Sequence, residues 1–471
     1  MLAKECIGRL VEFSTVRNSI VIVGAGFCGT VLAANLLRRA PSGPTDVVLI
    51  ERGAEMGRGL AYAVHEFPYL LNVPAARLSA DSHDPLQFLR FAQRRNPKAD
   101  GEDFLPRALY GEYLQDVLRQ AELAAPSDVR LQRIFGEVRN IDRRGEALAV
   151  ELAEGAPITA DRVILALGNP PAALQPWAAP IRDHPAYRHD PWSLPKTLTS
   201  RDSVLIVGNG LTMADAASLL SQDPSRVPAM HTISRHGLLP LHQTTFRPSA
   251  VRGDGEAILA HAHSLRQVLA MTRRLTREVQ SRGGDWREVV TFIRHLAPAL
   301  WRRLPEREQR RFMRHLQARW DVHRHRLAPT LSARIESLRR SGQLRVNAGR
   351  IESVAPAGAR LRVAWRPRGG ATTETLTVDL LVNATGPDFA LARSADPLQE
   401  SLRAAGLVSE DALQLGLRTG PHAECLDAEG RISRQLYYLG PMLRAGYWEA
   451  TAATELRDHA EAMAAHLAAP R

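Results

Sequence analysis

Two stretches of the chain share one pattern of apolar and polar positions. Residues 19–37, SIVIVGAGFCGTVLAANLL, and residues 203–220, SVLIVGNGLTMADAASLL, both begin with a run of apolar residues rich in Ile and Val. In both, this run passes into a glycine-bearing loop and then into apolar residues spaced as on one face of a helix. A buried strand, a tight turn and a helix are therefore predicted twice.

The segments that follow the two loops repeat in the same order. An alternating segment typical of a β-meander precedes a buried strand that ends in Gly168, and a second such segment precedes a buried strand that ends in Gly386. The internal repeat spans about residues 20–170 and 204–387. We expect an α/β fold with two Rossmann-like dinucleotide-binding domains.

The glycines of the first loop have a mechanical explanation. Gly24, Gly26 and Gly29 suit a tight turn, a close approach of the backbone to a pyrophosphate, and a close contact between helix and strand. A second predicted strand, DVVLIE, ends in Glu51 about 20 residues later. A carboxylate there accepts hydrogen bonds from an adenosine ribose and repels a 2′-phosphate. The first loop therefore predicts FAD or NAD(H) rather than NADPH.

The matching strand end of the second unit has a different chemistry. Ser234 and Arg235 stand where the first unit has Glu51. Loss of the acid and gain of guanidinium donors favour a ribose 2′-phosphate, and hence NADPH over NADH. Two different adenosine pockets predict FAD held in the first site and a hydride donor, NADPH or NADH, in the second.

The expected cofactor-binding residues lie in the two glycine loops, at the strand ends and at the glycines after the later strands. They are Gly24, Ala25, Gly26, Gly29, Glu51, Arg52, Gly168, Gly208, Gly210, Leu211, Thr212, Arg235, Gly386 and Gly440. Cys28, inside the first loop, is expected to be a small packed residue rather than a reactive thiol.

The expected domain boundaries follow from this repeat. The FAD-binding domain is predicted to be discontinuous, residues 1–198 and 370–471, and the NAD(P)H-binding domain to span residues 199–369. The C-terminal run LYYLGPMLRAGYWEATAATELRDHAEAMAAHL predicts a short strand, a Gly-Pro turn and a long helix that returns to the first domain. There the start of the helix can stabilise negative charge on a flavin.

Helical periodicity over about residues 256–340 predicts an insertion in the second unit. Its candidate helices lie around 257–281, 285–302 and 306–340. Within it, Trp301 and Trp320 are expected to be core anchors. His323 and His325 are two positions apart and cannot share a helical face, so no metal site is expected.

Composition changes this picture little. The 471 residues require more than one domain, and 61 Lys and Arg against 50 Asp and Glu give a formal net charge of +11. The excess is arginine scattered along the chain, so neither nucleic acid nor a membrane surface is expected as a partner. Three isolated cysteines exclude a CxxC dithiol, and no apolar run approaches a membrane span. We expect a cytoplasmic protein, with oligomerisation left open.

The assembled motifs resemble a known family of two-dinucleotide flavoproteins. The family includes a bacterial FAD-dependent urate hydroxylase and the aspartate N-monooxygenase that forms nitrosuccinate. The likeness runs through nearly the whole chain, on VGAGFCGT, GRGLAY, LLNVPAARLSA, VGNGLTMADAA, ISRHGLLP, WDVHRHRLAP, LVNATGP and GPMLRAGYWEATA. One departure is that the FxGxxxHxxx(F/Y) hallmark of better-known members of this class is absent between the two halves, where DHPAYRHDPW stands.

The resemblance implies the same cofactors and adds a reaction. It implies NAD(P)H-driven monooxygenation of a small, electron-rich substrate by O₂, through a flavin hydroperoxide. Among substrates we favour urate, whose anion arginine would recognise, with N-hydroxylation of an amino acid or amine as the alternative. Two other functions remain as alternatives. One is a reductase or dehydrogenase without oxygen insertion, and the other is a non-catalytic redox sensor.

Asn72, in LLNVPAARLSA, is the candidate catalytic residue. Its loop follows the strand that ends in Glu51 and can therefore reach a flavin ring. An asparagine amide both donates and accepts hydrogen bonds without changing charge, which suits a protonation-sensitive oxygen intermediate. The alternative is that Asn72 caps the local turn before Pro74.

Overall fold

The structure is a computed structural model that describes residues 17–39, 41, 43–244, 251 and 255–469. Its strands are β1 Asn18–Val23, β2 Thr45–Glu51, β3 Val129–Phe135, β4 Val138–Arg144, β5 Ala147–Leu152, β6 Ile158–Ala160, β7 Arg162–Leu165, β8 Tyr187–Arg188, β9 Ser203–Val207, β10 Ala229–Ser234, β11 Leu344–Ala357, β12 Arg360–Pro367, β13 Glu374–Val378, β14 Leu380–Asn383, β15 Glu424–Leu426 and β16 Ile432–Tyr438. Its helices are α1 Phe27–Arg39, α2 Gln87–Arg95, α3 Arg107–Leu123, α4 Leu211–Leu220, α5 Gly255–Ala260, α6 Leu265–Ser281, α7 Trp286–Arg303, α8 Glu306–His315, α9 Gln317–Arg324, α10 Pro329–Arg340, α11 Pro397–Ala404 and α12 Ala453–Ala468.

The first sheet has six strands in the order β15-β16-β7-β1-β2-β3. All neighbours from β16 to β3 run parallel, and β15 alone is antiparallel to its neighbour. At its centre Val21 pairs with Val48 on one side and Val163 on the other, and helices α1 and α12 pack together over this region. The apolar runs are continuous because a parallel sheet is covered on both faces. The C-terminal helix thus returns to the first unit, as expected.

The second sheet has seven strands in the order β13-β12-β11-β10-β9-β14-β8. The strands from β11 to β8 run parallel, whereas β12 and β13 form an antiparallel meander with the far end of β11. In the first unit the corresponding meander, β4-β5-β6, is a separate three-stranded sheet. The two units therefore share their parallel centre and differ in how the meander joins it.

Sheet membership corrects the expected domain boundaries. The sequence analysis assigns 1–198 and 370–471 to the first domain, yet β14 pairs with β9 and β8 pairs with β14 in the second sheet. The reason is that β9 needs an apolar neighbour on each side, and β14, fully buried, supplies one of them. The second unit therefore begins by Tyr187 and extends to Asn383.

The helical insertion is made of shorter helices than the periodicity predicts. The expected helix 257–281 is two helices, α5 and α6, because Ser264 caps the start of α6. The expected helix 306–340 is three helices, and Pro329 begins the last of them at a position where proline is tolerated. No helix in the described part of the chain is both long enough and apolar enough to cross a membrane.

Candidate functional site

The first glycine loop connects β1 to α1 at the carboxyl edge of the first sheet. The Gly24 amide donates to the Ile50 carbonyl oxygen over 2.8 Å, and with φ +104° a Cβ here would lie 2.3 Å from the Ala166 carbonyl oxygen. A Cβ on Gly29 would lie 1.9 Å from the Gly24 carbonyl oxygen. These two glycines are required by the packing of the loop itself.

Gly26 differs, because the protein leaves space in front of it. A Cβ built on Gly26 would meet only the Gly59 Cα, at 3.7 Å, which is an ordinary contact. No atom of the described residues would clash with a Cβ at this position. An open position between the turn glycine and the start of a helix is where a pyrophosphate approaches the backbone in dinucleotide-binding folds.

Glu51 lies beside this loop, as the sequence predicts. Its carboxylate accepts hydrogen bonds from the Ala25 amide at 2.8 Å and the Gly53 amide at 2.9 Å. The acid at the strand end and the glycine turn are thereby joined, and together they fit the ribose and pyrophosphate of FAD. Arg52 points elsewhere: it is mostly exposed and pairs with Asp396 at 3.5 Å, at the start of α11.

The second glycine loop repeats this geometry. The Gly208 amide donates to the Ile233 carbonyl oxygen over 2.9 Å, and a Cβ there would lie 2.3 Å from the Ala384 carbonyl oxygen. Gly210 has no atom within 4 Å of a built Cβ. Gly210 is the N-cap residue of α4, whose first two residues are Leu211 and Thr212. No side chain caps this helix start with a hydrogen bond. This helix start is therefore open to an anion.

The strand end of the second unit is strongly basic. Arg235 is exposed, and neither it nor Arg319, Arg350 or Arg368 forms an ion pair with a carboxylate of the described residues. Desolvation, followed by the positive charges of these four arginines, lowers the pKa of His236. Arg235 alone was predicted from the sequence, because the other three come from α9, β11 and the residue after β12. Together they fit a ribose 2′-phosphate better than one arginine would.

Asn209 was also not predicted from the sequence as a site residue. It stands in GNG where the first loop has Ala25, and it is 6% exposed. Its side-chain oxygen and nitrogen are both shielded from solvent and make no hydrogen bond with the described residues. Because unsatisfied buried amides are costly, this side chain calls for a bound partner. The sequence feature that could have indicated Asn209 is the presence of a polar residue between the two loop glycines.

The glycines after the later strands lie where the two units are connected. Gly168 and Gly386 have φ of +71° and +84°, with no atom within 4 Å of a built Cβ. The segments after them run side by side, because Ala172 pairs with Pro387 and the Asp388 amide donates to the Pro171 carbonyl oxygen. Because β7 and β14 are the neighbours of β1 and β9, these segments leave the two sheets at the same edges that carry the two glycine loops.

An ion pair joins the two units. Arg107 donates to the Asp215 carboxylate on α4 over 2.7 Å and, through Nε, to the Leu70 carbonyl oxygen over 3.1 Å. Asp215 is 4% exposed, and its burial raises the pKa of its carboxyl despite the nearby Arg107. Tyr69 and Trp192 stack around the same guanidinium. The sequence feature that could have indicated this ion pair is an aspartate inside the otherwise apolar helix TMADAASLL.

Asn72 lies two residues beyond Leu70, in the loop held by Arg107. It is half-buried, and its side chain makes no hydrogen bond with any other described residue. The alternative, that Asn72 caps the local turn before Pro74, has no hydrogen bond among the described residues to support it. This location, at the boundary of the two units, is where ligand sites commonly occur in multidomain proteins.

The C-terminal turn is anchored by the helical insertion. Trp301 donates to the Ala445 carbonyl oxygen over 2.9 Å, and Trp320 donates to the Glu449 carboxylate over 2.9 Å. The two tryptophans are thus packing residues that also fix the turn following Gly440. Since β16 runs parallel to β7, this turn lies at the same edge of the sheet as the first glycine loop.

Two expectations about unreactive side chains concern Cys28 and the histidines of the insertion. Cys28 is 5% exposed, and burial raises the pKa of its thiol to about 12, so it is a packed residue. His323 donates from Nδ1 to the Arg319 carbonyl oxygen over 2.7 Å, while loss of hydration lowers the pKa of His325 to about 3. The two rings have separate surroundings and do not form a pair.

Comparison with known proteins agrees with this arrangement. A sequence profile of a family described as FAD-NAD(P)-binding matches residues 21–170. Comparison with curated protein sequences finds no match. Among solved structures, a cadaverine monooxygenase of Erwinia amylovora, bound to FAD, matches with 14% identity, a TM-score of 0.65, and coverage of 96% of this chain and 94% of the other.

Two further structures match over similar lengths. An L-lysine 6-monooxygenase of Pseudomonas syringae has 16% identity and a TM-score of 0.65, covering 96% of this chain and 99% of the other. An ornithine hydroxylase of Pseudomonas aeruginosa has 16% identity and a TM-score of 0.62, with the same coverage. The fold of this chain is therefore that of the FAD- and NAD(P)-binding two-domain flavoproteins.

Proposed function

We propose that the protein is a monooxygenase that uses FAD and NADPH to hydroxylate the nitrogen of a small amine. The observation that carries this is the pair of matching glycine loops with opposite strand-end charge, Glu51 in one and the Arg235 cluster in the other. These loops occur in a fold that is shared with a cadaverine monooxygenase, an L-lysine 6-monooxygenase and an ornithine hydroxylase. The urate reading, favoured from the sequence, has less support than its N-hydroxylation alternative.

The proposed assignment of cofactors follows the two units. FAD is assigned to the unit that contains β1 and the C-terminal segment, and NADPH to the unit from Tyr187 to Asn383. The FAD residues are Gly24, Ala25, Gly26, Gly29, Glu51, Gly168 and Gly440, and the NADPH residues are Gly208, Asn209, Gly210, Leu211, Thr212, Arg235 and Gly386. Arg52 is left out, because its partner is Asp396.

The bound flavin would supply electron transfer from NADPH and activation of O₂. The chain's own residues position and shield this chemistry. Arg107 and Asp215 hold the helix after the second glycine loop against the loop that contains Asn72. The start of α12 has no side-chain cap, and the free amides of a helix start favour negative charge. Asn72 is the proposed hydrogen-bonding group toward the reacting oxygen.

The decisive experiment is product analysis with the purified, flavin-loaded protein. NADPH oxidation, peroxide release and hydroxylamine formation are measured together, with cadaverine, lysine, aspartate, glutamate and urate as substrates. We expect an amine to accelerate NADPH oxidation and to yield its hydroxylamine with little peroxide. Hydroxylation of urate and of no amine would overturn the proposal, as would NADPH oxidation that yields only peroxide under every condition.

Asn72→Ala tests the catalytic assignment. Because Asn72 has no hydrogen-bond partner among the described residues, its loss should leave the fold and the bound FAD intact. We expect NADPH-dependent flavin reduction to continue while most electrons pass to hydrogen peroxide. Asn96→Ala, at the exposed end of α2, is the control. Tight coupling in the Asn72 variant, or loss of its flavin, would make Asn72 a scaffold residue.

A further inference from the structure

The contact between the two units has a different chemistry at two places. At the helical insertion it is apolar, because Trp301 of α7 and Trp448 of the C-terminal turn belong to one apolar cluster, with ring centres 4.6 Å apart. Near α4 it is polar. Among the buried residues that the structure describes, the apolar cluster around α1 and α3 and the one around α4 are separate. The ion pair of Arg107 with Asp215 joins the units there.

This ion pair is shielded from solvent. The Asp215 side chain is 5% exposed and that of Arg107 is 19% exposed. An exposed ion pair contributes little, because water and salt solvate each partner separately. A buried pair is different, since the loss of one partner leaves an uncompensated charge inside the protein. Substitution of either residue alone is therefore expected to disturb this contact strongly.

Arg107 is held in place on its own side of the contact. As the first residue of α3, it donates its amide to the Tyr69 carbonyl oxygen over 2.8 Å and its Nε to the Leu70 carbonyl oxygen over 3.1 Å. Its guanidinium lies 5.8 Å from the centre of the Tyr69 ring and 5.5 Å from that of Trp192. Donation from this fixed group to the Asp215 carboxylate sets a direction as well as a distance.

Asp215 belongs to the helix that follows the second glycine loop. The helix α4 begins at Leu211, directly after Gly210, and Asp215 lies about one turn further along. Because a helix moves as one piece, a displacement at Asp215 also displaces the start of α4. The ion pair therefore determines where the start of α4, and a nucleotide bound to it, lies relative to the first unit.

We propose that Arg107 and Asp215 are positioning residues for reduction of the flavin. Their ion pair fixes α4, and with it the nucleotide held at its start, at the separation from the flavin that hydride transfer needs. The inference rests on the proposed function and names residues that control one step of it. The apolar contact at the insertion keeps the units attached, and the ion pair sets their alignment at α4.

The step concerned is transfer of a hydride from NADPH to FAD. The C4–H bond of NADPH breaks, and the hydrogen leaves with both electrons to the flavin N5. NADPH thereby becomes NADP⁺, and FAD becomes the anionic reduced flavin. A misplacement of about 1 Å between reacting groups can cost roughly a hundredfold in rate. Reduction by NADPH is therefore the step most sensitive to the position of α4.

The first measurement is structural and requires no turnover. Hydrogen–deuterium exchange compares the flavin-loaded native protein with Asp215→Asn, which keeps the side-chain shape and removes the charge. We expect faster exchange in residues 69–72 and in α4, with no change in α7 and residues 441–449. Glu66→Gln is the matched control. The Lys196–Glu66 pair also joins the units, but its side chains are 77% and 79% exposed, so its loss should change neither region.

The second measurement is anaerobic reduction in a rapid-mixing instrument. With saturating NADPH, the limiting rate per bound flavin should fall roughly ten- to a hundredfold in Asp215→Asn and in Arg107→Gln. Reduction by dithionite, which needs no nucleotide, and the dissociation constant for NADP⁺ should stay nearly unchanged. The double variant Arg107→Gln/Asp215→Asn pairs two neutral amides and should recover much of the rate, because no buried charge is left unpaired.

Three results would overturn the positioning role. They are a native rate of reduction by NADPH in both single variants, an equal fall in the rates with NADPH and with dithionite, or strictly additive effects in the double variant. Arg107→Lys keeps the charge and should lose less of the rate than Arg107→Gln. This variant keeps the test decisive where the neutral variants fold poorly, and an equal loss in both would also contradict the proposal.

The same experiments separate this inference from the proposed function. If the variants slow reduction by NADPH as expected but no amine yields a hydroxylamine, the proposed function fails and the positioning role stands. If the native protein forms hydroxylamines while both single variants are reduced at the native rate, the positioning role fails and the proposed function stands.

Discussion

The two units of this protein share the main-chain geometry of their first strands and glycine loops. Ser19 and Ser203, at the starts of β1 and β9, each donate an amide to an aspartate carboxylate, Asp161 and Asp379, over 2.8 Å. The first turn glycine of each loop has φ above +100° and packs against an alanine carbonyl oxygen at the end of the next parallel strand. Such agreement is what two copies of one dinucleotide-binding unit would retain.

The two units differ in side chains at the places that a nucleotide would contact. In the first, the Ala25 amide is bonded to the Glu51 carboxylate. In the second, the corresponding Asn209 has an unpartnered amide group, and arginines replace the acid. In the proposed assignment, the loop geometry accommodates a dinucleotide, whereas the strand end selects which one.

The largest effect is expected from filling the open glycine positions. Gly26→Val should abolish FAD binding, because the side chain would occupy the pyrophosphate position while meeting no close protein atom. Gly210→Val should keep the protein yellow and abolish reduction by NADPH. Flavin absorbance after gel filtration and anaerobic reduction measure the two properties, with circular dichroism to confirm folding. Full flavin content in Gly26→Val and in Glu51→Arg would contradict the assignment of the first unit.

A smaller effect, on stability, is expected at the turn glycines. Gly24→Ala and Gly208→Ala each place a Cβ 2.3 Å from a carbonyl oxygen at positive φ, which should lower the free energy of unfolding by at least about 2 kcal/mol. Gly155→Ala is the matched control, because it has φ +100° and no atom within 4 Å. It should lose only about 1 kcal/mol. Equal losses at all three positions, in denaturant titrations, would show that contact with the next strand is unimportant.

The smallest effect distinguishes the two hydride donors. Arg235→Ala should raise the KM for NADPH roughly ten- to a hundredfold and leave that for NADH nearly unchanged, because one charge-assisted contact to the 2′-phosphate is lost. Arg368→Ala should act in the same direction, and Arg362→Ala, an exposed arginine on β12, should have no effect. Equal changes for both donors would mean that Arg235 does not contact the 2′-phosphate.

The amino-acid sequence by itself determined the repeat, the two glycine loops and the opposite charges at Glu51 and Arg235. These features depend on residues close together in the chain, where strand, turn and helix preferences act locally. It also indicated the helical insertion and the return of the C-terminal helix, although not the breaks at Ser264 and Pro329. Short caps and prolines interrupt a helix without changing its average periodicity.

Only the tertiary structure decided which distant residues meet. The Arg107–Asp215 pair joins positions 108 residues apart, and His325 of the insertion lies near Arg444 of the C-terminal turn. The chain is rich in arginine, so composition cannot distinguish a paired surface arginine from a shielded one without a counter-charge. The pairing of β8 with β14 was not predicted either, because a two-residue strand carries no periodic signal, although the repeat already placed the strand before Gly386 in the second unit. Burial and long-range pairing are properties of the packed chain, and they determined where the boundary between the two units lies.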